Sequence, residues 1–308
     1  MKSTVTVCSN TLPLVRFRFA DCVELIRPRI AVLVLFTVAA GFGLASAGAP
    51  DLARLLHTVF GTALVVAGAS ALNQVFERHS DALMERTGNR PLPSGRLQPG
   101  AVLLFGASMT LAGLAYLALT VRQPLAIMTA AFAFAMYVFL YTPLKRTTTL
   151  NTLVGAVPGA MPPVIGWTAV TNSFDPAAAV LFVVLFLWQV PHFLAIAWIY
   201  RDDYARAGLR ILPVLDASGD RTARCMVGYC LALLLVSVLP SALGWAGPAY
   251  LLGATVLGGG FLMRAFGFWR TRSVAQARRV LRVSLVYLPA LLTVLLVEGV
   301  IKSWAGTR

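Results

Sequence analysis

Three polar residues recur every fourth position near the end of a long apolar run: Asn73, Glu77 and Asp81. On an α-helix that spacing drifts by only ~40° per step, so one face carries an amide oxygen and two carboxylates, with neighbouring Cβ atoms ~6 Å apart. Oxygen donors at that separation suit a hard divalent cation that keeps several waters and also binds phosphate oxygens. Arg86, Arg90 and Arg96 follow directly, and guanidinium forks match phosphate geometry. The chemistry indicated is metal-assisted handling of a diphosphate. A charged helix end after an apolar run is also what a solvated, snorkelling loop looks like, so spacing alone leaves both readings open.

A second polar stretch, YRDDYARAGLRILPVLDASGDR, repeats this logic. Asp202 and Asp203 stand at the end of an apolar run, and Arg206 and Arg210 follow. With Glu77 and Asp81 they would form a second metal-binding wall facing the first. Between the two lies Tyr141-Thr-Pro-Leu-Lys145-Arg146. Tyr141 and Lys145 share a face if the turn stays helical, and a lysine there is a point charge for a phosphate oxygen. The tyrosine would hydrogen-bond a phosphate or sit in an interfacial aromatic belt. Gln189 and His192 fall inside another apolar run, where polar side chains are costly and usually face the interior. His192 is either a ligand or base for a substrate or a buried, hydrogen-bonded structural histidine.

These residues must be positioned by membrane spans. Of the 308 residues 58% are hydrophobic and only 12% charged, against about 25% charged in soluble domains. Hydropathy and helix breakers predict nine spans, near 29–48, 54–75, 99–120, 124–141, 150–170, 177–199, 223–246, 249–268 and 280–302,. The stretches 77–98 and 200–222 are then loops. The net charge of +14 comes from basic residues between the spans, which speaks for orientation in a bilayer and against a nucleic-acid partner. With the N-terminus in the cytoplasm, all but four of the 26 Lys and Arg residues (Arg54, Arg122, Lys302 and Arg308) fall on the cytoplasmic side. This predicts a nine-helix, all-α polytopic protein with its C-terminus outside and every candidate catalytic charge at the cytoplasmic rim. Residues 1–26 lack a clean apolar stretch ending in a cleavage site and read as a cytoplasmic tail. The fifth span, with Pro158, Pro162 and Pro163, is expected to kink,. Cys225 and Cys230 read as helix-packing residues.

Four segments carry a resemblance: NQVFERHSDALMERTGNRPLPSG (73–95), YTPLKRTTTLNTLVGAVPGAMPPVIGW (141–167), WQVPHFLAIAW (188–198) and DDYARAGLRILPV (202–214). The chain resembles the UbiA-type intramembrane prenyltransferase superfamily typified by 4-hydroxybenzoate polyprenyltransferase and, within it, the protohaem IX farnesyltransferase (haem O synthase) family. The resemblance implies one transmembrane domain, 1–308, with its helices around a central cavity in a bacterial inner membrane. It implies farnesyl transfer from farnesyl diphosphate to a vinyl group of haem B, with Mg²⁺ as cofactor and haem A synthase as a downstream partner. By that resemblance Asn73, Glu77 and Asp81 belong to the first Mg²⁺–diphosphate motif, and Asp202 and Asp203 to the second. Arg86, Arg90, Lys145, Arg146 and Arg206 would contact the diphosphate, Tyr141 would lie beside the breaking allylic bond, and Gln189 and His192 are candidates for the haem side. Glu77 and His79 stand where many relatives carry aspartate. A prenyltransferase with another acceptor, such as an aromatic acid, a quinone precursor or chlorophyllide, is the first alternative. A transporter is the second, disfavoured because the acids cluster at one face and not at the midplane.

Overall fold

The computed structural model describes residues 18–306, and every regular element among them is helical. Lys2, Cys8, Arg16 and Arg308, and with them most of the expected tail, lie outside the described residues. A short helix α1 (Phe19–Ile26) precedes α2 (Pro28–Ala45), α3 (Leu52–Ala82) and α4 (Pro99–Thr120). Then come α5 (Pro124–Leu144), α6 (Asn151–Thr171) and α7 (Pro176–Ile199). Two short helices, α8 (Arg201–Arg206) and α9 (Leu212–Leu215), occupy the second polar stretch. The chain ends with α10 (Asp220–Ala242), α11 (Pro248–Thr271) and α12 (Val274–Gly306). Nine helices among the described residues are long and apolar enough to cross a membrane. The chain is therefore a multi-pass membrane protein.

Local chemistry sets the boundaries. Pro28, Pro99, Pro124, Pro176 and Pro248 open their helices, where the missing N–H is no loss and φ is already helical. Asp51 caps α3 by accepting from the Arg54 N–H. Asp175 caps α7 through the Ala177 and Ala178 amides and also accepts from Trp167 Nε1, fastening the α6–α7 turn.

Helices α6 and α7 form the centre, each 61% buried against 22–33% for most of the outer spans. Helix α7 packs on α6, α10 and α12, and α6 also contacts α2 and α5. Lipid gives no hydrophobic drive to helix association, so close approach of backbones does the work. A Cβ on Gly41 would stand 2.0 Å from the Pro163 oxygen, and one on Gly166 1.9 Å from the Val38 oxygen. These two glycines let α2 and α6 touch backbone to backbone. Gly68 and Gly106 do the same for α3 and α4.

Three boundaries differ from the sequence expectation. Helix α3 runs to Ala82 rather than stopping near 75. Its 31 residues reach about 46 Å at 1.5 Å per residue, beyond a hydrocarbon core of about 30 Å. The last turns, with Glu77 and Asp81, project into the rim while remaining helix. Helix α12 starts at Val274, six residues before the expected 280. The end of the tail is ordered as α1, with Leu25 buried and its carbonyl accepting from Gln74 Nε2.

Candidate active site

The end of α3 presents the expected row of acids, but each is already partnered. Glu77 Oε1 is 2.5 Å from Lys145 Nζ. Asp81, with 1% side-chain exposure, is 2.6 Å from Arg90 Nη1. Thr87 Oγ1 donates to the Asp81 carbonyl, folding the following loop back on the helix end. Asn73 Nδ2 donates to Thr142 Oγ1 at 3.1 Å, while Asn73 Oδ1 is buried and has no hydrogen-bond partner among the described residues. An unsatisfied buried acceptor is costly and calls for a donor or cation.

The middle segment is held by an irregular turn. Residues Met136–Tyr141 of α5 form a π-helical stretch, a rare conformation frequent at functional sites. Pro143 supplies no N–H to the preceding turn, and Thr142 Oγ1 donates to the Tyr137 carbonyl five residues back. The widened turn directs Tyr141 onto α6: a Cβ on Gly155 would stand 2.5 Å from the Tyr141 ring. Lys145 Nζ lies 4.3 Å over the same ring, within cation–π range. Burial disfavours the charged lysine, but the Glu77 carboxylate outweighs it, and the Lys145 pKa is raised. Arg146 Nη2 reaches Ser80 Oγ at 3.4 Å.

The second polar stretch closes over these two. The Arg210 N–H donates to the Lys145 carbonyl at 2.8 Å, and Asn151 Nδ2 donates to the Arg210 carbonyl. Met84 packs with Ala197, Leu209 and Ile211. Arg86 lies over the rings of Tyr200 and Tyr204, at 5.1 and 5.9 Å. Arg206 bridges Asp203 and Glu85, the latter at 3.2 Å. The two adjacent aspartates part company: Asp203 is buried, whereas Asp202 is 90% exposed beside Arg201 and lines an open hollow of about 240 Å³ with Ala205, Pro213, Val214 and Ala217.

Two further placements depart from expectation. Arg96, read from sequence as phosphate-facing, instead pairs with Asp21 and Glu24 and donates to the Asn89 carbonyl, tying α1 to the first loop. Arg27 counts in the sequence only among the basic residues that set topology. It joins α1 to α2 with a left-handed φ of 54°, and its Nε and Nη2 are buried without a hydrogen-bond partner among the described residues. Its charge reaches Arg90, whose pKa is lowered by burial first and by Arg27 next. The only sequence signal was its position directly before the proline that opens α2. Gln189 is a strut: its amide nitrogen donates to the Ala156 and Leu185 carbonyls, and its oxygen fills the space over Gly159. His192 is buried, with Nδ1 2.7 Å from Ser284 Oγ on α12.

Among the described residues no three His, Cys, Asp or Glu side chains come together as a metal centre. A cation here could draw ligands from carboxylates on different elements, from Asn73 Oδ1 and from a bound anion. That is how a magnesium-type site built with substrate phosphates works.

Three rim segments thus bring carboxylates, five basic side chains and a tyrosine together at one end of a nine-span bundle. A model of the UbiA prenyltransferase family matches residues 34–288. The chain belongs to the UbiA prenyltransferase family. Among UbiA relatives, a protoheme IX farnesyltransferase of Solibacter usitatus (strain Ellin6076) is 47% identical over 287 residues, covering 90% of this chain and 98% of the relative. The UbiA fold is also seen in a solved digeranylgeranylglyceryl phosphate synthase, with a TM-score of 0.76 at 18% identity over 92% of this chain and 98% of that one. A UbiA homolog from Archaeoglobus fulgidus bound to GPP and Mg²⁺ matches with a TM-score of 0.61 at 13% identity, over 89% of this chain and 99% of that one.

Proposed function

We propose that this UbiA prenyltransferase transfers a farnesyl group from farnesyl diphosphate to a vinyl group of protohaem IX, releasing diphosphate. The observation that carries the reading is the pairing of Glu77 with Lys145, Asp81 with Arg90 and Asp203 with Arg206 at one bundle end. It is a site whose acids suit divalent cations and whose bases suit phosphate. The acceptor is taken from relatives of near-half identity that bear the name protoheme IX farnesyltransferase.

Asn73, Glu77 and Asp81 on one wall and Asp203 on the other would hold Mg²⁺, with exposed Asp202 beside them. Bound Mg²⁺ neutralises charge on the diphosphate leaving group. Arg86, Arg90, Lys145, Arg146 and Arg206 bind the phosphate oxygens, joined by Arg27. Lys145 carries its full charge at neutral pH because Glu77 raises its pKa against burial. Tyr141 offers its ring to the allylic carbon as the carbon–oxygen bond breaks and positive charge develops. The vinyl carbon then bonds to that carbon, water adds to the neighbouring position, and a proton leaves. Both organic substrates are apolar over most of their surface, which favours a site at the membrane edge.

On this reading the protein lies in a bacterial inner membrane with this rim on the cytoplasmic side, an orientation the bias of basic loops supports. The sequence forms one transmembrane domain, and its product would pass to a haem A synthase. The test is mass analysis of haem extracted after incubating purified protein with farnesyl diphosphate, Mg²⁺ and haem B. A haem heavier by one farnesyl group and one hydroxyl group is expected. Diphosphate release without that product would point to another acceptor.

A further inference from the structure

His192 sits seven residues before the end of α7 at Ile199, about 10 Å below the rim at 1.5 Å per residue. Its ring stacks on Trp188 at 4.8 Å and meets the edge of Phe193 at 5.7 Å. Ser284 Oγ stands 2.7 Å from His192 Nδ1 and also 2.7 Å from the Leu281 carbonyl oxygen. A carbonyl only accepts, and a serine hydroxyl has one hydrogen. That hydrogen goes to Leu281, so His192 Nδ1 must be the donor to Ser284. Trp188 Nε1 donates to the Ser284 carbonyl at 2.8 Å. One residue of α12 thereby fixes both the indole and the imidazole.

The remaining nitrogen, Nε2, carries the lone pair and has no hydrogen-bond partner among the described residues. A neutral imidazole that gives away one N–H and presents the other nitrogen bare is the form in which histidine ligates a metal. Within an apolar span such a side chain is costly and marks a functional position. Gln189, the other polar residue of this stretch, has its amide spent on backbone carbonyls of α6 and α7.

We propose that His192 Nε2 is an axial ligand to the iron of the metalloporphyrin acceptor, with Ser284 as the positioning residue that holds its tautomer. This rests on the acceptor reading above. It adds a coordinate bond that anchors the ring while a vinyl group faces the allylic carbon.

The test titrates the full-length protein in nanodiscs with ferric protohaem and, separately, with metal-free protoporphyrin IX. His192→Gly should weaken haem binding by about tenfold or more, shift the Soret band, and leave metal-free porphyrin affinity unchanged. Added imidazole should restore the wild-type spectrum. Ser284→Ala should shift the Soret band while retaining most of the haem affinity. Unchanged farnesyl diphosphate binding shows that each variant is folded. Equal losses for both porphyrins, or a wild-type Soret band in His192→Gly, would overturn the iron ligation and leave the acceptor reading standing. Wild-type protein that binds neither porphyrin would overturn both.

Discussion

Lys145 Nζ and Glu77 Oε1 stand 2.5 Å apart, joining the end of α5 to the acidic face of α3. Removing either partner leaves a charge in a mostly buried place. Lys145→Met and Glu77→Gln are each expected to lower kcat/KM by about 10²–10³, the scale for one preorganised electrostatic group. Glu77→Gln should also shift the Mg²⁺ dependence to higher concentration, whereas Lys145→Met should mainly raise the KM for farnesyl diphosphate. Because the Lys145 pKa is raised, its share of stability is full below the ordinary lysine pKa of about 10.4 and is lost only as pH rises through the higher folded value. Initial rates between about pH 7 and 9 should show no limb belonging to this lysine.

Asp81 and Arg90 form the most enclosed pair of the site. Asp81→Ala should abolish diphosphate release and lower the melting temperature in detergent, since an unpaired buried partner costs about 3–5 kcal/mol. The double variant Asp81→Ala/Arg90→Ala should regain part of that stability but no activity. Strictly additive stability losses would deny the coupling.

Arg27 presents the opposite case, a guanidinium whose Nε and Nη2 are buried with no hydrogen-bond partner among the described residues. Arg27→Gln should raise the KM for farnesyl diphosphate about tenfold with a smaller change in kcat. In the substrate-free protein it should leave the melting temperature equal or higher, because buried N–H groups without hydrogen-bond partners are removed. A clear drop in both melting temperature and kcat would assign Arg27 to the scaffold instead.

Gly155 gives Tyr141 its place. A methyl there would collide with the ring at 2.5 Å, so Gly155→Ala should displace Tyr141 and reduce kcat by about 10- to 100-fold, as small misplacements in an active site do. Tyr141→Phe keeps the ring and should retain more activity than Gly155→Ala if the aromatic face is what matters. Steady-state kinetics of the two variants decides.

Asp216 stabilises the second loop from outside the spans. It accepts from the Thr222 backbone N–H at 2.8 Å and the Thr222 hydroxyl at 2.9 Å, capping the start of α10. Burial pushes its pKa up, but these bonds outweigh it and the carboxyl is lowered overall. Its stabilisation is therefore present above the ordinary aspartate pKa and is lost as pH falls through the lower folded value. Asp216→Ala should cost about 1 kcal/mol and speed proteolysis of the 200–219 segment at neutral pH. Pepsin at acid pH should find that difference between wild type and variant shrinking.

Much of the frame was legible because an apolar run of membrane length has few alternatives, and all nine expected spans have helical counterparts. The end of α3 was not, since Glu77 to Ala82 reads as loop by polarity. It stays helical because its charged face is neutralised by residues far along the chain, Lys145 at a separation of 68 for Glu77. Such long-range pairing leaves no local mark. The same cause hid the role of Arg96, whose partners Asp21 and Glu24 lie on α1. It also hid Ser284, an ordinary serine in an apolar run until α12 sets it against His192. The separation of Asp202 from Asp203 follows from the short helix α8, which sends adjacent side chains about 100° apart,.

The acid–base pairing at the rim has a consequence for selectivity between empty and loaded states. Glu77, Asp81 and Asp203 each rest against a basic side chain, so a stray divalent ion would have to displace a countercharge to reach any of the three. Inorganic phosphate alone would likewise meet Arg90 and Arg206 already paired with Asp81 and Asp203, with Arg27 left as the unpaired guanidinium. Only a metal–diphosphate couple exchanges with both halves of each pair at once, leaving the total charge of the membrane edge nearly constant. If these pairs bind the substrate as proposed, the resting contacts would favour the prenyl donor arriving together with its metal over either ion alone.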